Sequence, residues 1–118
     1  MKMTTPALVT VFSACLFFAG VAHAANPEAG KEKSRACAAC HGPEGNSAAA
    51  NFPKLAGQHF DYLVKTLQDY KTGVRKNAIM APLVANLNQR DFEDLAAYYS
   101  HQQGLVTRTN SYLVPKSH

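Results

Sequence analysis

An all-α domain of three main helices joined by long loops is the fold that this 118-residue sequence predicts. The first observation behind it is a repeated apolar spacing. Phe60, Leu63, Val64 and Leu67, and again Phe92, Leu95, Ala96 and Tyr99, fall at i, i+3, i+4 and i+7, the period of a helix with one buried face. The second is that no stretch shows the apolar-polar alternation and turn signals of paired strands. With 47% hydrophobic and 17% charged residues the chain is globular, and its length suits one small domain, which excludes a multi-domain enzyme. Twelve Lys and Arg against eight Asp and Glu give a formal charge of +4, too modest and too dispersed for a nucleic-acid partner.

Residues 1–24 read as a secretory signal peptide: Lys2, an apolar run from Ala7 to Ala22, and the small-x-small cleavage pattern Ala22-His23-Ala24. The run is shorter than the ~20 residues of a membrane-spanning helix. Apolar residues continue after Cys15, which does not suit a lipid-modified cysteine. Cleavage would leave residues 25–118 as the working domain, with Cys37 and Cys40 as its cysteines and Met80 as its methionine. A core this small is marginal, so a cross-link, metal or cofactor is expected to help hold it together.

The first helix starts at Asn26-Pro27-Glu28, with Asn as cap, Pro in the first turn and an acid at the positive end of the dipole. It is expected to run to about Cys40 and stop at Gly42-Pro43. Residues 42–57, rich in Gly, Pro, Asn and Ser, form a long loop, and loops of that length usually have a function. The second helix spans about Gln58 to Lys71 and ends at Gly73. Residues 74–87 are expected to be mostly irregular, with Pro82 biasing Ala81 toward extended backbone and at most one turn after it. The third helix is capped by Asn88 and ends before Gly104, leaving Leu105 to His118 as an unassigned tail.

Cys37-Ala38-Ala39-Cys40-His41 carries the chemistry. It is the attachment signature of a c-type haem. On a helix, positions i, i+3 and i+4 share a face, so two thiols can bond to the porphyrin edge while the adjacent imidazole reaches the iron. A thioredoxin-like dithiol expects a βαβ pattern beside it, and a zinc site expects two further ligands at finger-like spacing; neither is present. A disulfide between Cys37 and Cys40 would close too short a loop to stabilise much. For the sixth position on iron the leading candidate is Met80, 39 residues after His41, with His59, His101 and His118 as the alternatives.

With these motifs the sequence resembles the small class I cytochromes c, of the monohaem c-553 type, and one domain of the dihaem cytochrome c4 family. The resemblance rests on Cys37-Ala38-Ala39-Cys40-His41-Gly42, Gly45-Asn46-Ser47, Phe52-Pro53-Lys54-Leu55-Ala56-Gly57-Gln58, Ile79-Met80-Ala81-Pro82 and Asp94-Leu95-Ala96-Ala97-Tyr98-Tyr99, and covers roughly Gly30 to Gln102. It implies a class I cytochrome c fold wrapped around one covalent haem c. Cys37 and Cys40 would be the thioether links, and His41 and Met80 the iron ligands. Pro53 would supply the carbonyl that accepts the ligand imidazole's N–H, and Leu55 would pack on the haem. It further implies that the first and last helices cross closely, with Gly30 leaving room and Tyr98 or Tyr99 filling the contact.

The expected function is that of a monomeric, soluble periplasmic electron carrier and not an enzyme. It would pass one electron between redox proteins such as a dehydrogenase and a cytochrome oxidase. The alternatives are a cytochrome subunit of a larger redox complex and a small haem peroxidase or ligand-binding protein. Two basic groups stand near the haem in sequence and would steer partners: Lys31, Lys33 and Arg35 before the cysteines, and Lys71, Arg75 and Lys76 before Met80.

Overall fold

The computed structural model describes residues 24–105, in which five helices and no strand occur. They are α1 (Pro27–Lys33), α2 (Arg35–His41), α3 (Phe60–Thr72), α4 (Met80–Val84) and α5 (Gln89–Ser100). The expected leader up to His23, and the tail beyond Leu105, lie outside the described residues. No described helix is long and apolar enough to cross a membrane.

Asn26 caps α1 as expected, its side chain accepting from the backbone N–H groups of Glu28 and Ala29. The single N-terminal helix of the sequence reading is instead two, broken at Ser34. The Ser34 hydroxyl donates to the Lys31 carbonyl at 2.7 Å, an acceptor that the next helical turn would otherwise use. Serine back-bonding of this kind bends helices, so the chain continues past Ser34 in helical conformation but in a new hydrogen-bond frame.

The short α4 also departs from expectation. Ala81 is helical, not extended, although Pro82 follows it. Pro82 stands in the first turn, where its missing N–H removes no intrahelical bond. Ahead of it the turn is already organised: the carbonyl of Asn77, three residues before α4, accepts from Ala81 N–H at 3.1 Å. On α5 the expected Asn88 cap is present as a reciprocal capping box with Asp91.

The frame of the domain is the crossing of α1 over α5. At Gly30 a Cβ would lie 1.9 Å from the Asp94 carbonyl oxygen and 2.9 Å from Tyr98 Cβ, so no side chain fits. Helical glycine costs about 0.8–1.0 kcal/mol relative to alanine. Close approach of the two backbones offsets that cost by burying Ala97 and Tyr98. Beside the crossing, the 2%-exposed Asp94 accepts from Asn26 N–H (2.7 Å) and Lys33 Nζ (2.7 Å) and pairs with Arg90 Nε (3.2 Å). α5 then packs on α3 through Leu63, Leu95, Ala96 and Tyr99, and α4 lies against α3 with Val84 fully buried.

Burial alone would raise the Asp94 carboxyl, but the Lys33 ammonium, the Asn26 N–H and Arg90 outweigh it and hold it below its ordinary value. A depressed carboxyl stabilises the fold above the unfolded carboxylate range, and that contribution disappears as pH falls through the folded value. Asp94→Asn is therefore expected to lower stability near pH 7 by roughly 1–3 kcal/mol. The gap between variant and parent in denaturant midpoint should close below about pH 4. Parallel pH profiles for the two proteins would show that the carboxylate does not tie α1 to α5.

Candidate functional site

Cys37, Cys40 and His41 lie on α2 at the helical spacing that the sequence predicts. Both cysteines are half-buried free thiols, so no disulfide joins them. Among the described residues no three His, Cys, Asp or Glu side chains are grouped so as to hold a metal ion between them, as a zinc site would require. Burial pushes the Cys37 thiol up, opposed by the neighbouring Tyr99 hydroxyl.

His41 is 5% exposed, and its Nδ1 donates to the Pro53 carbonyl at 2.8 Å. A carbonyl only accepts, so Nδ1 carries the proton and the lone pair of the singly protonated ring is on Nε2. The Phe52 ring stands edge-on to the imidazole, with centroids 6.3 Å apart. The loop that supplies Pro53 is closed at Gly45, whose φ is +81° and whose carbonyl accepts from both Leu55 and Ala56 N–H. A Cβ at Gly45 would lie 2.8 Å from Ala56 N and from Tyr99 Cδ1. The loop is tied to α5 by Gly57 N–H donating to the Tyr99 carbonyl at 2.9 Å. Leu105, where the unassigned tail was expected to begin, donates its N–H to the Ala56 carbonyl and so belongs to the same clasp.

These elements surround a cavity of about 250 Å³. Cys37, Cys40 and His41 line it, with Leu55, Leu63, Leu67 and Leu95 as aliphatic wall. Met80, half-buried at the start of α4, lines the same cavity. His59 and His101 do not: His59 is exposed ahead of α3, and His101 is exposed at the end of α5 with Nδ1 against the Ala97 carbonyl. His118 lies outside the described residues. His41 is the only histidine among the described lining residues, so the distal His-Arg pair of a peroxidase is not formed there. Interiors of folded proteins carry few voids larger than a water. A leucine-walled space with two thiols, an imidazole Nε2 and a thioether on its walls fits a flat apolar macrocycle that carries a metal.

Two residues of the site went unnoticed in the sequence. Asn77 Oδ1 accepts from Ile79 N–H (2.9 Å) and Met80 N–H (3.0 Å), which sets the backbone that presents Met80. The signal was available in an Asn three residues before Met80 with Pro82 in the first turn. The other is Tyr99. Of the two tyrosines expected at the helix crossing, Tyr98 fills it and donates its hydroxyl to the Pro43 carbonyl at 3.1 Å, whereas Tyr99 lines the cavity.

Fold and site together define a haem-binding cytochrome c domain. The chain belongs to the cytochrome c family, whose family model matches residues 27–103, and a domain of this family binds haem c covalently with its iron. It is similar to cytochrome c4 of Azotobacter vinelandii, with 45% identity over 118 aligned residues that cover 92% of this chain and 56% of the relative. It is also similar to cytochrome c-554(548) of Halomonas halodenitrificans, with 40% identity over 83 residues that cover 68% of this chain and 100% of the relative. Among solved structures, reduced recombinant cytochrome c4 from Pseudomonas stutzeri matches with a TM-score of 0.66 and 48% identity, over 70% of this chain and 48% of that one. The chain spans about half the length of the cytochrome c4 relatives it matches.

Asn77→Ala removes the acceptor of two backbone N–H groups, and loss of such a cap costs about 1 kcal/mol. The expected outcome is faster amide hydrogen exchange at Ile79 and Met80 with exchange in α1 and α5 unchanged. Unaltered exchange at Met80 would show that Asn77 does not organise that turn.

Proposed function

We propose that this protein is a periplasmic one-electron carrier whose single haem c is joined through Cys37 and Cys40, with His41 and Met80 as the iron ligands. The observation that carries this reading is the bond from His41 Nδ1 to the Pro53 carbonyl, which leaves Nε2 available in a cavity that Met80 also lines. Members of the cytochrome c family are electron carriers, some of them parts of enzyme complexes. When bound, the haem supplies reversible one-electron cycling of its iron. The chain supplies the rest. Pro53 fixes the orientation of the imidazole and raises its basicity. The leucine wall keeps the site dry and of low polarity, which with a soft thioether ligand favours the ferrous state. With His41 and Met80 both holding the iron, no position on it would be left for a substrate, which supports a carrier over an enzyme. The leader-like residues 1–24 support export.

Intact mass of the exported protein should show one haem per chain, and Met80→Ala should abolish the weak sulfur-to-iron band of the ferric spectrum. The same variant is expected to lower the reduction potential and admit cyanide. An unchanged spectrum would remove Met80 from the iron, and a mass equal to bare polypeptide would remove the covalent haem.

The redox partners are proposed to dock at the mouth of the cavity beside Met80, and not at the N-terminal basic group. Lys33 is held by Asp91 and Asp94, and Arg35 pairs with Glu32, so that group is largely neutralised. Lys71 instead donates to the Leu87 carbonyl and lies over the Phe92 ring, and Arg75 lies over the Tyr70 ring. Among the described residues none of Lys71, Arg75 and Lys76 is in an ion pair. Exposed Val74 stands between Lys71 and Arg75 in sequence, exposed Ile79 and Leu83 follow Lys76, and Arg75, Ile79 and Leu83 line the cavity. A small apolar patch with a basic rim suits brief encounter with an acidic partner. Electron exchange with such a partner should slow as salt rises, and Lys76→Glu should slow it further at low salt while Lys33→Gln leaves the rate alone. A rate indifferent to salt and to Lys76→Glu would show that these cations play no part in docking.

A further inference from the structure

Tyr99 carries the one buried side-chain polar atom without a hydrogen-bond partner among the described residues, its phenol oxygen. The residue is 3% exposed. The ring occupies the place beside Gly45 where a Cβ would come within 2.8 Å of Cδ1, the Tyr98 ring lies 5.1 Å away between centroids, and the Tyr99 carbonyl accepts from Gly57 N–H. Cys37 packs against the cluster that contains Tyr99 and lines the same cavity, and the side chains neighbouring the hydroxyl are Ser34 and Cys37. A buried hydroxyl without a partner costs about 1–3 kcal/mol, and phenylalanine would fill the same space without that cost. The Ser34 hydroxyl gives its one proton to the Lys31 carbonyl, so it has none for the phenol and could only accept from it. Cys37, as a thiol, carries a proton of its own. Its sulfur becomes an acceptor only, with lone pairs and no proton, once it is bonded to carbon on both sides.

We infer that Tyr99 is a positioning residue whose hydroxyl donates a hydrogen bond to the thioether sulfur of Cys37 in the haem-joined protein. The inference rests on the reading of Cys37 as an attachment cysteine. The bond satisfies the orphaned phenol, fixes the rotation of the Cys37 linkage at the back of the cavity, and draws electron density from the sulfur, which favours the reduced state. It places the influence of α5 on the covalent edge of the cofactor, away from both proposed iron ligands.

The test uses the full-length haem-loaded protein in its diamagnetic ferrous state. Proton NMR should resolve a slowly exchanging Tyr99 hydroxyl with Overhauser contacts to the Cys37 β protons and the linkage proton beside the sulfur. Ser34→Ala should leave those contacts in place. Tyr99→Phe should remove the hydroxyl signal, shift the Cys37 linkage resonances and lower the reduction potential, with the iron-ligand resonances retained. A hydroxyl that exchanges rapidly with water, or that contacts Ser34 and not Cys37, overturns the inference. So does a Tyr99→Phe protein with the parent's potential and linkage shifts. Should Tyr99→Phe fail to fold, the parent's Overhauser contacts decide. Peptide mapping of the parent tests the underlying reading separately: haem on the Cys37 peptide without the hydroxyl contact refutes only the Tyr99 bond, whereas an unmodified Cys37 refutes the attachment reading.

Discussion

The approach of α1 to α5 at Gly30 is the constraint on which the rest of the domain depends. With a backbone carbonyl 1.9 Å from where a Cβ would stand, the two helices meet at a distance only glycine permits. Everything on the functional side follows in sequence or in space from that contact. α2 continues from α1 through the bend at Ser34 and so brings Cys37, Cys40 and His41 to the cavity that Leu95 and Tyr99 of α5 also line. The same α5 then anchors the 42–57 loop through Gly57 and the Tyr99 carbonyl, which places Pro53 under the imidazole. Asp94 adds an electrostatic clamp at the crossing, holding Asn26, Lys33 and Arg90 with one carboxylate that is itself almost fully removed from water. Such a group is tolerated because every charge it brings inside is matched at hydrogen-bond distance.

Much of this was legible in the sequence because it depends on local rules. Asn26 and Asn88 announce their helices by capping chemistry, and the apolar spacing of 60–67 and 92–99 marks the faces that bury Leu63, Leu95 and Tyr99. The Cys37-x-x-Cys40-His41 spacing is a property of one helical turn, so it survives any uncertainty about the tertiary fold. What was not legible depends on competition between nearby groups. Whether Ser34 bends a helix depends on whether its hydroxyl points to solvent or back to Lys31, which composition does not decide. Pro82 carries opposite signals, a break for the residue before it or a start in the first turn, and Asn77 tips the balance toward the start. The basic residues illustrate the same limit for charge. Lys33 and Lys76 look alike in a sequence, yet one is matched by two aspartates from α5 and the other makes no ion pair among the described residues.

The two sides of the cavity are held by unlike means, and the difference bears on the proposed chemistry. On the His41 side, the imidazole is oriented by a backbone carbonyl in a loop that is bonded to α5 at Gly57 and to the Leu105 N–H at Ala56. On the Met80 side, residues 71–79 are all exposed, and α4 has α3 as its main helical neighbour. Val84 provides its buried anchor, and Asn77 provides two hydrogen bonds in contact with water. Segments with few buried contacts and solvent-exposed hydrogen bonds open at lower free energy than those tied to the core. The imidazole side, next to the cysteines, is therefore the firmer wall, and the Met80 side the looser one. The exposed apolar and basic residues of the proposed docking face belong to that looser wall: Val74, Arg75, Lys76 and Ile79 lie within six positions of Met80 in the chain. A partner pressing on that face would touch the segment that sets Met80, so docking and the placement of the proposed thioether ligand would meet in the same short stretch of chain, whereas Tyr99, on α5, is almost fully buried.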